Sequence, residues 1–240
     1  MINTTEIAPD IHRISFWDEE DLLEAKLIFP GATYNLFLVN ATQPAIIETM
    51  FRRTFRRVRD EVKKIVDPAK LRYIVVPHHE GDSSGAVNEW LEEAPQATAL
   101  CSELCAVLSL RDFADREPRV VADNEVVDLD SHRIRFFVTP QVNQWDSLML
   151  YEETTKTFFP NDLFSGLGTE IVTPADRSEA AMAAARHLGY QADDRASLLR
   201  AIDKFAKLDI KVMACMHGPA ITGHIDTLIR TFRDTAITVP

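Results

Sequence analysis

Three side chains able to bind a metal stand at alternate positions in the stretch Val75-Val76-Pro77-His78-His79-Glu80-Gly81-Asp82-Ser83-Ser84-Gly85. Residues 71–76 form an apolar run of strand type, and residues 86–91 begin a helical pattern. On an extended segment alternate side chains point the same way, so His78, Glu80 and Asp82 would aim one imidazole and two carboxylates at one point. That donor mixture suits a borderline or hard cation. A polar loop that simply contains a His and two acids would look the same, so the triple needs companions. Two arrive later: Asp162 in Phe158-Phe159-Pro160-Asn161-Asp162, and His217 in Met213-Ala214-Cys215-Met216-His217. Each follows a strand-like run, and sites in layered α/β folds collect where loops leave strand ends.

The elements that would position these residues can be read along the chain. Residues 6–16, 26–40 and 44–49 read as short strands, with Pro30-Gly31 breaking the second, and suggest an antiparallel meander. Residues 17–21 read as an acidic, solvated turn. Residues 51–66 have helical period, with Phe51, Phe55, Val58, Val62 and Ile65 on one face and a basic stripe on the other. The i,i+4 pair Asp60–Lys64 favours a solvated stripe over an anion site. A strand at 71–76, a helix from Ser83 or Ser84 to about 93, a strand at 98–100 and a helix capped by Ser102 through 113 give an α/β layer pattern. Strands follow at 119–122, 125–129 and 133–138, then a hairpin of 148–151 and 156–159. Helices at 177–188 and 194–208, a strand at 211–216 and a helix at 223–233 complete the order.

Composition narrows the function classes. The 240 residues are 46% hydrophobic and 26% charged, ordinary for a globular protein with a good core. A net charge of −11 argues against duplex nucleic acid or an anionic membrane as partner. No apolar run approaches the ~18–20 residues of a membrane span. The N-terminus lacks the basic and apolar regions of a secretory signal, so a cytoplasmic protein is expected. Three cysteines do not make a disulfide framework. Cys101 and Cys105, four apart on an expected helix, read as packing residues.

The segments GATYNLFLVN, IIET, VVPHHEGDSSGAVNEWL, TPQVNQWDSLML, FFPNDLF and ACMHG, in that order, resemble the metallo-β-lactamase fold. More narrowly they resemble the oxygen-reducing domain of flavodiiron proteins and the related single-domain oxygen-binding diiron proteins. The most specific part is His-X-Glu-X-Asp, where most hydrolases of the fold carry His-X-His-X-Asp-His. The Tyr34-Asn35 pair and Trp145-Asp146-Ser147 also look like flavodiiron landmarks. The resemblance implies an α/β, αββα sandwich of two mixed sheets with helices on the outer faces, built from residues 1–240 as a single domain without a flavodoxin or rubredoxin domain. It implies two irons, with His78 and Glu80 on the first, Asp82 and His217 on the second, and Asp162 bridging. The implied activity is binding, sensing or reduction of O₂ or NO with electrons from a separate donor protein. By the same analogy the chain is expected to be a homodimer.

Two positions depart from that pattern. Ser83 stands where the family commonly has a His, and the loop before Asp146-Ser147 offers Gln141, Asn143 and Gln144 in place of another. These residues are expected to position water or ligands, since neutral amides and hydroxyls are weaker donors to a borderline ion. His79 neighbours the motif but points the other way on an extended segment. His187 and His224 read as surface residues. One metal, zinc, or no metal are the alternatives to two irons. A metal-dependent hydrolase of an ester, lactone or thioester, and a binding module without metal, are the alternatives to the oxygen chemistry.

Overall fold

The structure is a computed structural model and describes residues 1–17, 33–166, 168, 170, 172–174 and 195–238. Its first sheet runs in chain order: β1 (Ile2–Ala8), β2 (Ile11–Phe16), β3 (Tyr34–Val39), β4 (Ala45–Ile47), β5 (Tyr73–Val75), β6 (Thr98–Cys101) and β7 (Arg119–Val120). β1 to β4 pair antiparallel, as the meander reading expects, whereas β4 to β7 pair parallel. The second sheet contains β8 (Val126–Asp128), β9 (Arg133–Val138), β10 (Leu148–Glu152), β11 (Thr157–Phe159), β12 (Val172–Pro174), β13 (Val212–Met213) and β14 (Ala220–Thr222). Its order is β12-β14-β13-β11-β10-β9-β8, with parallel pairing between β11 and β13 and between β12 and β14.

Alternation along the strands sorts the core into layers. Phe37 and Val39 of β3 meet Leu148 and Leu150 of β10 between the sheets, with Val75, Leu100, Phe136 and Phe159. Leu36 and Leu38, the other face of β3, pack outward against Val58, Val62, Trp90 and Leu91. Met149 and Tyr151, the other face of β10, pack outward with Leu198, Ile202, Phe205, Ile229 and Phe232. Both sheets are therefore covered on both faces, which is why β3 and β10 are buried at every residue. The outer helices are α1 (Phe55–Val62), α2 (Gly81–Ser84) and α3 (Val87–Glu93) on one side and α5 (Arg195–Phe205) and α6 (Ile225–Thr238) on the other. Between them in sequence lies α4, with α-helical ends Glu103–Cys105 and Arg111–Phe113 around a π-helical turn, Ala106–Leu110.

Several elements differ from the sequence reading for local reasons. The helix expected over 51–66 is α1 behind a 3₁₀ turn, Arg52–Thr54, because Phe51 is extended and Asp67-Pro68 disfavours helix on the far side. Its basic face is tied up in part by ion pairs, Arg59 with Asp60 at 2.8 Å and Glu93 at 2.7 Å. Ser102 does cap α4, accepting from Cys105 N–H at 3.1 Å. Cys101, however, ends β6 and does not share that helix; it and Cys105 are both buried. The strand expected over 211–216 is only Val212–Met213, since the chain then turns to deliver His217. The expected helix at 177–188, with His187, and residues 18–21 of the acidic turn lie outside the described residues. So does the 26–32 part of the second strand segment.

Candidate metal centre

Parallel strands open their C-terminal ends on the same side of a sheet. β5 therefore ends beside β4, and the chain after Val75 passes over the sheet edge as a bend before α2 begins at Gly81. His78 and Glu80 leave from that bend, while Asp82 belongs to the first turn of α2. The three do not lie on one extended segment, so simple alternation is not what aligns them. Ligand atoms of His78, Glu80 and Asp82 nonetheless fall within 4.8 Å of one another. The short α2 turn suits this path: a Cβ at Gly85 would meet Gly81 O at 2.2 Å, so the α2–α3 junction closes only over a glycine.

Asp162 comes from the turn after β11 and His217 from the loop after β13, two neighbouring parallel strands. His78 Nε2 lies 3.5 Å from Glu80 Oε2 and 3.5 Å from Asp162 Oδ2. His217 Nε2 lies 3.0 Å from Asp162 Oδ1 and 3.6 Å from Asp82 Oδ2. Asp162 thus turns one carboxyl oxygen toward each imidazole. His217 Nδ1 donates to Thr33 O at 2.9 Å, which leaves Nε2 and its lone pair for the cluster. The same loop is held by Gly218, whose N–H donates to Thr33 Oγ1 at 2.8 Å and whose φ is 78°. A Cβ there would meet Gly166 O at 2.7 Å, so this position requires glycine. Buried Arg13 and Asn35, from the other sheet, both donate to Gly218 O.

The electrostatics are those of a cation site. Burial pushes His78 and His217 down, but Asp162 and the other acids outweigh it, raising them to about 10 and about 9. Asp82 is raised by burial against the pull of His217 and His78. Burial also opposes ionisation of Asp162, yet the two imidazoles hold it below the ordinary carboxylate range. A field that favours a proton on each imidazole favours any cation in that place, and metal binding there would release protons. His78 is fully buried, and neither of its ring nitrogens is hydrogen-bonded. Such orphaned buried atoms are costly unless something not of the chain meets them. Two imidazoles and three carboxylates are a donor set that iron fits.

The remaining candidate positions divide. Asn143 donates to Asp162 Oδ2 and Gln144 to Glu80 Oε1, so both amides reach the cluster. Gln141 sits at φ 67° in the same loop and makes no described contact with these acids. Ser83 Oγ accepts from His78 N–H at 3.3 Å and is fully buried. His79 turns away, stacked on Trp145 at 4.6 Å with Nδ1 3.2 Å from Asp146 Oδ1. His224 is exposed, with φ 49°, next to α6. Among the described residues, one buried acid near the cluster was not anticipated: Glu48, just after β4. Glu48 lies in the IIET segment of the resemblance, but its place beside the cluster follows only from the parallel pairing of β4 with β5.

Two mixed sheets between helical layers, with the cluster at their strand ends, define a metallo-β-lactamase-like α/β protein. A family model described as ODP family beta lactamase matches residues 32–218, and the chain belongs to that family. Its relatives and structural neighbours are the metallo-β-lactamase-like domains of flavodiiron proteins. It is 25% identical over 209 residues to diflavin flavoprotein A 1 of a Synechocystis species, covering 85% of this chain and 36% of the relative. It is 28% identical over 200 residues to nitric oxide reductase of Moorella thermoacetica, covering 78% of this chain and 49% of that protein. Rubredoxin oxygen:oxidoreductase of Desulfovibrio gigas superposes with a TM-score of 0.84 at 21% identity, over 99% of this chain and 62% of that one. The chain thus spans less than half the length of these two sequence relatives. No helix among the described residues is long and apolar enough to cross a membrane.

Proposed function

We propose that the cluster binds a pair of iron ions and that the chain binds or reduces O₂ or NO with electrons from an external donor. The observation that supports this best is the placement of Asp162, with one oxygen toward His78 and the other toward His217. A carboxylate so placed can serve two cations at once. His78 and Glu80 would hold one iron, Asp82 and His217 the other, and Asp162 both. When bound, paired iron supplies the electrons that reduction of a diatomic gas demands.

The chain's own residues supply the rest. Thr33 O fixes the ring of His217, so its Nε2 faces the cluster without reorganisation. Asn143 and Gln144 hold Asp162 and Glu80 from the open side. The side chain of Glu80 is 44% exposed while His78 is buried, so a small ligand would enter past Glu80. The relatives' names support an O₂ or NO substrate and a protein donor of the rubredoxin or flavin type. A dimer and a cytoplasmic location belong to the same proposal.

Metal analysis of protein grown in iron-rich medium, followed by anaerobic reduction and exposure to O₂ or NO, tests it. The expected result is about two irons per chain and gas consumption by the reduced protein. Zinc as the sole metal with ester hydrolysis would replace the proposal by a hydrolase. Absence of any bound metal, with stability unmoved by a chelator, would replace it by a binding module.

A further inference from the structure

The basic face of α1 and of the 3₁₀ turn before it carries its charge unevenly. Residues 51–66 hold seven basic residues and two acids, in a chain whose net charge is −11. Toward the C-terminal end the charge is met locally: Arg59 pairs with Asp60 and Glu93, and Lys64 with Glu61 at 2.6 Å. Toward the N-terminal end it is not. Arg52 reaches Glu89 but keeps 82% of its side chain exposed. Arg53 and Arg56 are exposed, and neither has an ion pair among the described residues. No acid stands in the first turn of either element. Cations at the start of a helix oppose its dipole, so this placement costs the helix stability instead of supporting it.

From that same end a series of ring contacts runs inward. The Arg53 guanidinium lies 4.9 Å over the ring of half-buried Phe51. Phe51 meets buried Tyr34 edge-on, with centroids 5.0 Å apart, and Tyr34 meets the His217 imidazole edge-on at 5.1 Å. Phe51 also packs on the turn between Glu80 and Asp82, since a Cβ at Gly81 would lie 3.5 Å from its ring. Two rings in contact thus join the surface at Arg53 to a candidate metal ligand. Electron transfer weakens steeply with distance, and most steeply across empty gaps, so it runs best through filled contacts of this kind.

We infer that the N-terminal end of α1, with Arg53 and Arg56, docks an acidic one-electron carrier protein, and that Phe51 and Tyr34 couple it to the metal centre. This rests on the reading that the cluster binds redox-active iron. A local basic patch on an otherwise acidic molecule orients an acidic partner as it approaches. In the step itself one electron leaves the reduced carrier, which is oxidised by one unit, and arrives at an iron(III) ion beside His217, which becomes iron(II). No bond forms or breaks.

The probe is a rubredoxin of net negative charge, and the docking readout needs no metal: its dissociation constant for the full metal-free chain, by calorimetry at low salt. The double variant Arg53→Glu/Arg56→Glu should weaken binding by about tenfold or more, the difference closing toward about 1 M salt, where the screening length is ~3 Å. Its melting should be unchanged or higher, because glutamates there favour the helix dipole. With iron(III) loaded, rapid mixing with reduced rubredoxin reads electron arrival, and dithionite serves as the small reductant. Phe51→Leu should dock as the unaltered chain does and keep both its iron and its reduction by dithionite. It should nonetheless take electrons from rubredoxin several-fold more slowly, and Phe51→Tyr should restore the rate. Equal rubredoxin affinity of the double variant and the unaltered chain, or no complex with either, overturns the docking surface. Phe51→Leu reduced by rubredoxin as fast as the unaltered chain overturns the aromatic coupling. Loss of iron or of dithionite reduction in Phe51→Leu overturns it too, in favour of a packing role. An unaltered chain that binds no iron overturns the reading on which the path rests, whatever its affinity for rubredoxin.

Discussion

Two buried histidine–carboxylate groups lie at opposite ends of β10. At one end, Leu148 N–H donates to Pro77 O at 2.9 Å, just before His78 and the candidate metal centre. At the other, about 14 Å away along the strand, Glu152 is fully buried with His132 Nδ1 3.2 Å from its Oε1. Residue types and burial match, but the hydrogen bonding does not. Glu152 accepts from Thr154 N–H at 2.8 Å, Thr155 N–H at 2.7 Å and the Thr155 hydroxyl. Burial opposes its ionisation, and these donors outweigh burial and hold it below the ordinary carboxylate range. The acids of the metal cluster face imidazoles and one another. An acid saturated by its own backbone closes a turn, whereas acids left facing each other are arranged for something that the chain does not supply.

This contrast can be broken by exchanging what each group controls. The largest effect is expected from Asp162→Ala, which should abolish iron retention because both proposed metal positions would share that carboxylate. Iron content equal to that of the unaltered chain would refute the bridging role. Glu152→Ala should leave iron content untouched but destabilise the fold by about 2–4 kcal/mol, since it strands several buried donors. Denaturant unfolding of the metal-free protein measures it, and a loss of metal in that variant would erase the distinction between the two ends.

Acid sharpens the same comparison. Because the folded value of Glu152 lies below its unfolded value near 4.5, its contribution is complete above that value. It is lost as pH falls through the lowered folded value. The stability gap between the unaltered chain and Glu152→Gln should therefore shrink as pH falls from about 4.5 through the lowered folded value. A gap that widens on acidification would reverse the assigned sign. The smallest effect is expected at Asn143→Ala, where losing one hydrogen bond to Asp162 should weaken metal affinity by at most about tenfold. Chelator competition would detect a complete loss, which would make Asn143 a ligand in its own right.

The sequence shows the identity of the clustered residues better than the geometry that clusters them. His78, Glu80 and Asp82 were legible by spacing, yet a bend and a helical turn, not an extended strand, bring them together. Asp162 and His217 were legible because each directly follows an apolar run that forms a strand. Glu48 was not, for it depends on β4 lying parallel to β5 across 25 or more intervening residues, a pairing no local pattern encodes. The layers of the fold were legible through the strand–helix order and the family resemblance, whereas β3 and β10, apolar on both faces, show no alternation to read. β12 and β14 were missed because strands of three residues carry almost no periodicity.

The bond from His217 to Thr33 joins residues 184 apart in sequence, and Asn35 reaches Gly218 over 183. His217 is thus aimed by residues of the β3 region that are synthesised more than 180 residues before it. A nascent chain that has exposed His78, Glu80 and Asp82 holds half a cage and no means of orienting the rest. Under the proposed metal reading, the choice of ion would therefore fall to whichever ion meets the docked sheets, and not to whichever ion first meets the growing polypeptide.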